Sequence, residues 1–99
     1  MHIYNNRVEN IVRDGIWIRE CKGAVIEHNT VTRTGLVATS NGIWFWDCED
    51  GVMQYNEGYE CKAPFEKDGA PFSIDNLCRN CVIQYNYSHD NEGPGYMVF

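Results

Sequence analysis

The stretch Gly15 to Val31, GIWIRECKGAVIEHNTV, comes back twice in this chain, and that repetition restricts the possible folds more than any other feature. Gly42 to Tyr59, GIWFWDCEDGVMQYNEGY, keeps the same order of parts: Gly, an apolar alternation, a Cys, a tight polar turn, Val with a second apolar residue, and an Asn. Pro71 to Tyr87, PFSIDNLCRNCVIQYNY, is the third copy. The chain opens on the back half of a copy at His2 and closes on the front half of another at Gly95. Eight residues separate Cys21 from Asn29, Cys48 from Asn56 and Cys78 from Asn86, whereas the interval between successive Asn residues lengthens along the chain. A constant segment with an elastic loop on one side is what stacked coils produce, because each turn of chain packs only on its neighbours.

Within each copy the apolar period is two rather than 3.6, so the repeating parts are strands. The alternation puts Ile16, Ile18, Ile43 and Phe45 inward, with Trp17, Arg19, Trp44 and Trp46 outward. The third copy keeps this parity only with one residue inserted before Cys78. Without it, the Asp75 carboxylate would be buried and Ile74 exposed, a costly arrangement for an unpaired charge. Val25-Ile26, Val52-Met53 and Val82-Ile83 form a second strand, and a third begins around Val8, Val31, Tyr59 and Tyr87. The elastic loops are then Thr32 to Asn41, Glu60 to Gly69 and Ser88 to Pro94. Parallel strands of successive coils lie about 4.8 Å apart, so equivalent side chains touch. Asn6, Asn29, Asn56 and Asn86 are therefore expected to form a hydrogen-bonded ladder, Cys21, Cys48 and Cys78 an inward stack, and His28 a layer under Tyr55.

Ninety-nine residues allow one domain. Eight Lys+Arg against 14 Asp+Glu give a net charge of −6, which offers no basic surface to nucleic acid or anionic lipid. No apolar run approaches the roughly 18 residues of a membrane span, and MHIYNNRVEN lacks the features of a signal peptide. Five cysteines leave at least one thiol outside any internal pairing. Cys78-Arg79-Asn80-Cys81 has CxxC spacing, but no second ligand pair completes a zinc site and no βαβ context supports a redox pair. Cys61 and Cys81 are either a disulfide or two buried thiols.

The G-I-x-I strand, the V-I-x-x-N corner and the loop-then-Gly return resemble the right-handed parallel β-helix repeats of the pectate-lyase-like superfamily, over nearly the whole chain. FSIDNLCRNCVIQYNYSHDNEGPGYM is more similar to β-helix proteins related to glycoside hydrolases than to pectate lyases. The resemblance implies an all-β, right-handed parallel β-helix of about three full coils plus partial end coils. Residues 1–99 are then one segment of a longer β-helix domain, or its open ends pair in an end-to-end oligomer. The implied setting is secreted or cell-surface, and the implied partner is a polysaccharide or oligosaccharide lying along the outer face of the first sheet.

In such a groove Trp17, Arg19, Trp44 and Trp46 are the expected sugar-binding floor, continued by Ser73, Asp75 and Met97, because sugar rings stack on aromatic faces. Asp75 is the leading catalytic candidate. Glycoside hydrolysis needs a second carboxyl group, with Asp47 on the coil below, or Asp90 or Glu92 on the last loop, as its possible partner. His89 is placed to shuttle a proton. Against these stand plainer readings: Asp75 caps a turn with Asn76, His89 is a solvated loop residue, and the loop Glu60 to Gly69 covers the tryptophans. A non-catalytic glycan-binding or structural β-helix is the alternative to a hydrolase. A lyase or epimerase is less favoured, since Arg19 is the only basic residue on the floor. No cofactor is indicated, although calcium could be held if Glu57, Glu60, Glu66 and Asp68 converge.

Overall fold

The computed structural model describes all 99 residues and contains twelve short strands. In chain order they are β1 (His2–Tyr4), β2 (Arg7–Glu9), β3 (Ile16–Arg19), β4 (Val25–Glu27), β5 (Thr30–Thr32) and β6 (Ile43–Trp46). β7 (Val52–Gln54), β8 (Glu57–Tyr59), β9 (Phe72–Ile74), β10 (Val82–Gln84), β11 (Tyr87–His89) and β12 (Met97–Val98) follow. They pair in parallel as three four-stranded sheets: β3-β6-β9-β12, β1-β4-β7-β10 and β2-β5-β8-β11, called here the first, second and third sheets. Each circuit visits the sheets in that order, giving three full coils with a partial coil at each end. The one helical element is a 3-10 turn at Pro64–Glu66, inside an elastic loop.

The inward columns follow from the alternation. Ile3, Ile26, Met53 and Ile83 are in register in the second sheet, and Ile18, Phe45, Ile74 and Val98 in the first. In the third sheet Val8, Val31, Gly58 and Ser88 align. Gly58 has no side chain there because Pro71 fills the space: a Cβ on Gly58 would lie 2.3 Å from the Pro71 Cβ. The predicted insertion is present. Phe45 pairs with Ile74 but Glu49 with Arg79, so one residue is gained between them, at a turn where Leu77 has φ 66°. Ile74 is buried and Asp75 is not.

Only 25 of 99 residues are buried, so apolar packing is supplemented by the corners. Asn29 and Asn56, both almost fully buried, form the centre of the ladder. The Asn56 Oδ1 accepts from the Asn29 backbone N–H at 2.9 Å and from the Asn29 Nδ2 at 3.1 Å. Asn86 receives Asn56 in the same way, and Asn29 receives Asn6. Each Nδ2 also donates back to the coil before it: Asn29 to Ile3, Asn56 to Ile26, Asn86 to Met53. The amide thereby satisfies backbone groups that the bend removes from the sheets.

The residues preceding the ladder, Asn5, His28, Tyr55 and Tyr85, all have left-handed φ of 54° to 57°. Asn tolerates this region; for His and Tyr the strain is offset by stacking, His28 on Tyr55 at 5.4 Å and Tyr55 on Tyr85 at 5.5 Å. Cys48 is fully buried, with Cys21 and Cys78 packed against the same core, as the stacking argument expects. All five cysteines are free. Cys81 lies beside Cys48, donating to its carbonyl, while Cys61 is buried at the far corner, so the disulfide alternative gives way to two separate thiols. Burial pushes the thiols of Cys48, Cys61 and Cys81 up from their ordinary range.

Candidate functional site

The outer face of the first sheet carries the tryptophans on strands β3 and β6, where adjacent strands hold them in register: Trp17 opposite Trp44, Arg19 opposite Trp46. The spacing of parallel strands dictates what these rings do. Trp17 and Trp44 stack with centroids 4.8 Å apart and planes within 4° of parallel, so each turns one face to the other. The Arg19 guanidinium stands 5.8 Å from the Trp17 ring centre, a cation–π distance. Trp46 does not join the stack; its plane is at 90° to Trp44, with centroids 6.5 Å apart. Together Trp17, Arg19, Trp44 and Trp46 line an open, apolar cleft of about 280 Å³. No other residue lines it, so the loop from Glu60 to Gly69 does not lie over the tryptophans, and Trp17 is 45% exposed.

One residue that fixes this cleft escapes a reading of the repeats. Asp14, mostly buried, accepts the Trp44 indole N–H at 2.9 Å and so sets the tilt of that ring. Its place before Gly15, in an Asp-Gly pair, signals only a turn, and nothing in the sequence reports that its carboxylate reaches the next coil.

The expected continuation of the floor is partial. Ser73 is in register with Trp44 and Met97, but it is fully buried and its hydroxyl has no partner. Asp75 extends β9, its N–H donating to the Phe45 carbonyl, which sets it beside Trp46. Its Oδ1 accepts the Asn76 backbone N–H at 2.7 Å, the turn-capping arrangement. Asp47 lies at the corner beyond Trp46, 3.8 Å from the Arg79 guanidinium, in a shallow cleft with Glu20, Lys22 and Glu49.

His89 and Asp90 fall elsewhere. His89 is the last residue of β11 in the third sheet rather than a loop residue, because the strand continues two residues past Tyr87. Its Nδ1 meets Asp90 and its Nε2 meets Glu57, each at 2.8 Å, and Tyr59 and Tyr87 stack on its ring. Hydrogen bonds to Asp90 first, then Glu57, hold its pKa above the usual histidine value. No hydrogen bond links this cluster to Asp75 or the tryptophans.

The carboxylates considered for calcium are dispersed. Glu57 is engaged by His89 and Glu60 lies 4.0 Å from Arg33, whereas Glu66 and Asp68 join Glu92 in lining a separate cleft of about 560 Å³ beside Met97. Nowhere do three His, Cys, Asp or Glu side chains converge as a metal site.

The coiled parallel sheets and the aromatic cleft on their outer face define a β-solenoid with a surface cleft. The family model described as "Right handed beta helix region" matches residues 1–99, and the chain belongs to this right-handed β-helix family. No curated protein and no solved structure matches it. The family is consistent with the pectate-lyase-like superfamily, a carbohydrate-associated group, and goes no further toward an activity.

Proposed function

We propose that the outer face of the first sheet is a carbohydrate-binding surface, with one sugar ring seated in the cleft of Trp17, Arg19, Trp44 and Trp46. The observation that carries this reading is the right angle between Trp46 and the Trp17–Trp44 pair. Trp17 and Trp44 turn a face to each other and Arg19 stands by Trp17, which leaves Trp46 as the ring for a pyranose to stack on, with the other indoles forming the side wall. Arg19, 59% exposed along its side chain and 3.2 Å from Glu20, then donates to hydroxyls or to a carboxylate of the glycan.

A non-catalytic surface is favoured because the cleft has no carboxylate in its wall and the Oδ1 of Asp75 is already accepting from Asn76. The hydrolase reading keeps one point in its favour, that Asp75 adjoins Trp46. Calorimetry and reducing-end assays against a panel of oligosaccharides separate the two. Binding without product, weakened at least tenfold by Trp46→Ala and less by Trp17→Ala, is the expected result. Product release that disappears in Asp75→Asn would assign a glycoside hydrolase instead, and no binding to any glycan in the panel would refute both.

A further inference from the structure

We propose that the glycan site has a second, hydroxyl-binding subsite at the corner after the first sheet, in the cleft of Glu20, Lys22, Asp47, Glu49 and Arg79, and that the oligosaccharide spanning both clefts is neutral. This rests on the reading of the tryptophan cleft as a sugar site and adds to it the path of the ligand and its charge.

The corner cleft, of about 230 Å³ with Cys21 as its remaining lining residue, is close in size to the aromatic one of about 280 Å³, so a space that seats one ring is followed by a space for the next. The backbone joins them. Glu20 directly follows Arg19, and Asp47 directly follows Trp46. In a continuing strand the next side chain would point inward, but Glu20 and Asp47 have left-handed φ of 53° and 51°, which breaks the alternation. Their side chains stay outside, 62% and 37% exposed, beside those of the residues before them. The Arg19 guanidinium, which lines the aromatic cleft, lies 3.2 Å from the Glu20 carboxylate, so one ion pair borders both spaces.

The chemistry of the corner follows from its register. Lys22, Glu49 and Arg79 align on successive coils, which sets a carboxylate between two cations. Arg79 is the pivot. Its Nη1 donates to the Leu77 carbonyl at 3.0 Å, which holds the fork in place, and stands 3.8 Å from Asp47; its Nη2 stands 3.9 Å from Glu49. Direct N–H···O bonds reach only to about 3.2 Å, so neither pair is closed. A hydroxyl fits such a gap, accepting from the guanidinium and donating to the carboxylate at about 2.8 Å each. Two gaps side by side on one fork match two hydroxyls on neighbouring carbons, the vicinal diol of a pyranose.

Charge decides against an acidic sugar. Along the two clefts Arg19, Lys22 and Arg79 supply three positive charges, while Glu20, Asp47, Glu49 and Asp75 supply four negative ones, a balance of −1 (3 − 4) on a chain of −6. Each arginine already faces a carboxylate, and Lys22 is in register with Glu49. A uronate or sulfate ester would enter beside those carboxylates and be repelled, whereas a neutral diol uses both signs at once.

The test is NMR titration of the isotopically labelled 99-residue chain with neutral gluco-, manno-, galacto- and xylo-oligosaccharides, their monosaccharides, and oligogalacturonides of matching length. A neutral oligosaccharide is expected to move both the Trp46 indole and the Arg79 guanidinium signals, and to bind about tenfold more tightly than its monosaccharide, as two further hydrogen bonds allow. Arg79→Met should bring the oligosaccharide down to the monosaccharide's affinity. Asp47→Asn combined with Glu49→Gln turns the balance to +1 (3 − 2) and should admit oligogalacturonides, with an affinity that falls as salt is added. Circular dichroism checks the fold of each variant; where Arg79→Met unfolds, Arg79→Lys, which keeps the charge but loses the fork, should show the same loss. Trp46 signals that move while those of Arg79 do not, an affinity that does not rise with length, oligogalacturonides that bind wild type as tightly as neutral chains, or a double variant that still excludes them overturns the corner subsite and leaves the tryptophan site standing. If no sugar moves any signal, both readings fall.

Discussion

Asn56→Ala is the substitution that most directly measures what the corner ladder contributes. The side chain makes four hydrogen bonds: its Oδ1 accepts from the Asn29 N–H and Nδ2, and its Nδ2 donates to the Asn86 Oδ1 and the Ile26 carbonyl. At about 1 kcal/mol net for each, and with the Asn29 N–H left buried and unpaired, the expected loss is about 4–5 kcal/mol. That is a large part of the roughly 5–15 kcal/mol that holds an ordinary domain together. Asn6→Ala removes only two side-chain bonds at an exposed end, and the Asn29 Oδ1 keeps the Asn6 N–H, so about 1 kcal/mol is expected. Urea titrations of both variants, followed by circular dichroism, give the comparison. Asn56→Asp adds a control: it retains the acceptor but aims a carboxylate at the Ile26 carbonyl, and at neutral pH should be no more stable than the alanine variant. If the Asn56 and Asn6 alanine variants cost the same, or Asn56→Ala costs less than about 2 kcal/mol, the ladder is not what stabilises these corners.

Gly58→Ala would force a Cβ into Pro71 and should cost about 1–3 kcal/mol in thermal or urea denaturation, whereas Gly23→Asn should be close to neutral. Gly23 has open space around it, and its left-handed site is occupied by Asp50 and Asn80 in the next two coils. A thiol reagent should modify the native chain at the partly exposed Cys21 and Cys78 well before the buried Cys48 and Cys61, and should find five thiols in denaturant without reductant; fewer would mean a disulfide. His89 has a folded pKa raised above the 6.5 of the free side chain, so its contribution to stability is complete below pH 6.5 and is lost as pH rises through the folded value. NMR titration of the His89 ring should show the upward displacement, and it should shrink in Asp90→Asn; an unshifted histidine would contradict the pairing with Asp90 and Glu57.

The solenoid was legible because its cause is local and repeated. The fixed Cys-to-Asn interval, the period-two alternation and the inserted residue near Leu77 each follow from which side chains tolerate burial, and the register at Phe45–Ile74 and Glu49–Arg79 agrees with them. The tryptophans were legible as outward residues for the same reason. What could not be read was the angle between rings, since Trp17 stacks on Trp44 while Trp46 turns away through contacts made between coils. Asp14 was invisible because its partner lies on the next coil, and Cys61 and Cys81 were left ambiguous because sequence gives no distance between corners. His89 read as a loop residue because Ser-His-Asp-Asn is polar turn chemistry, yet parallel pairing with Glu57, Gly58 and Tyr59 prolongs the strand through it.

The alignment of Asn29 and Asn56 also bears on how such a chain can change its length. Because both occupy one corner with the same backbone geometry and the same bonding duties, excising residues 30–56 would join two chemically equivalent points and leave Asn29 resting on Asn86. A whole storey can thus be lost or copied at this vertical seam with the corner bonding kept, which makes height a variable separate from the shape of each floor. The Trp17–Trp44 stack and the Asp14 bond to Trp44, however, belong to one pair of coils and would go with it.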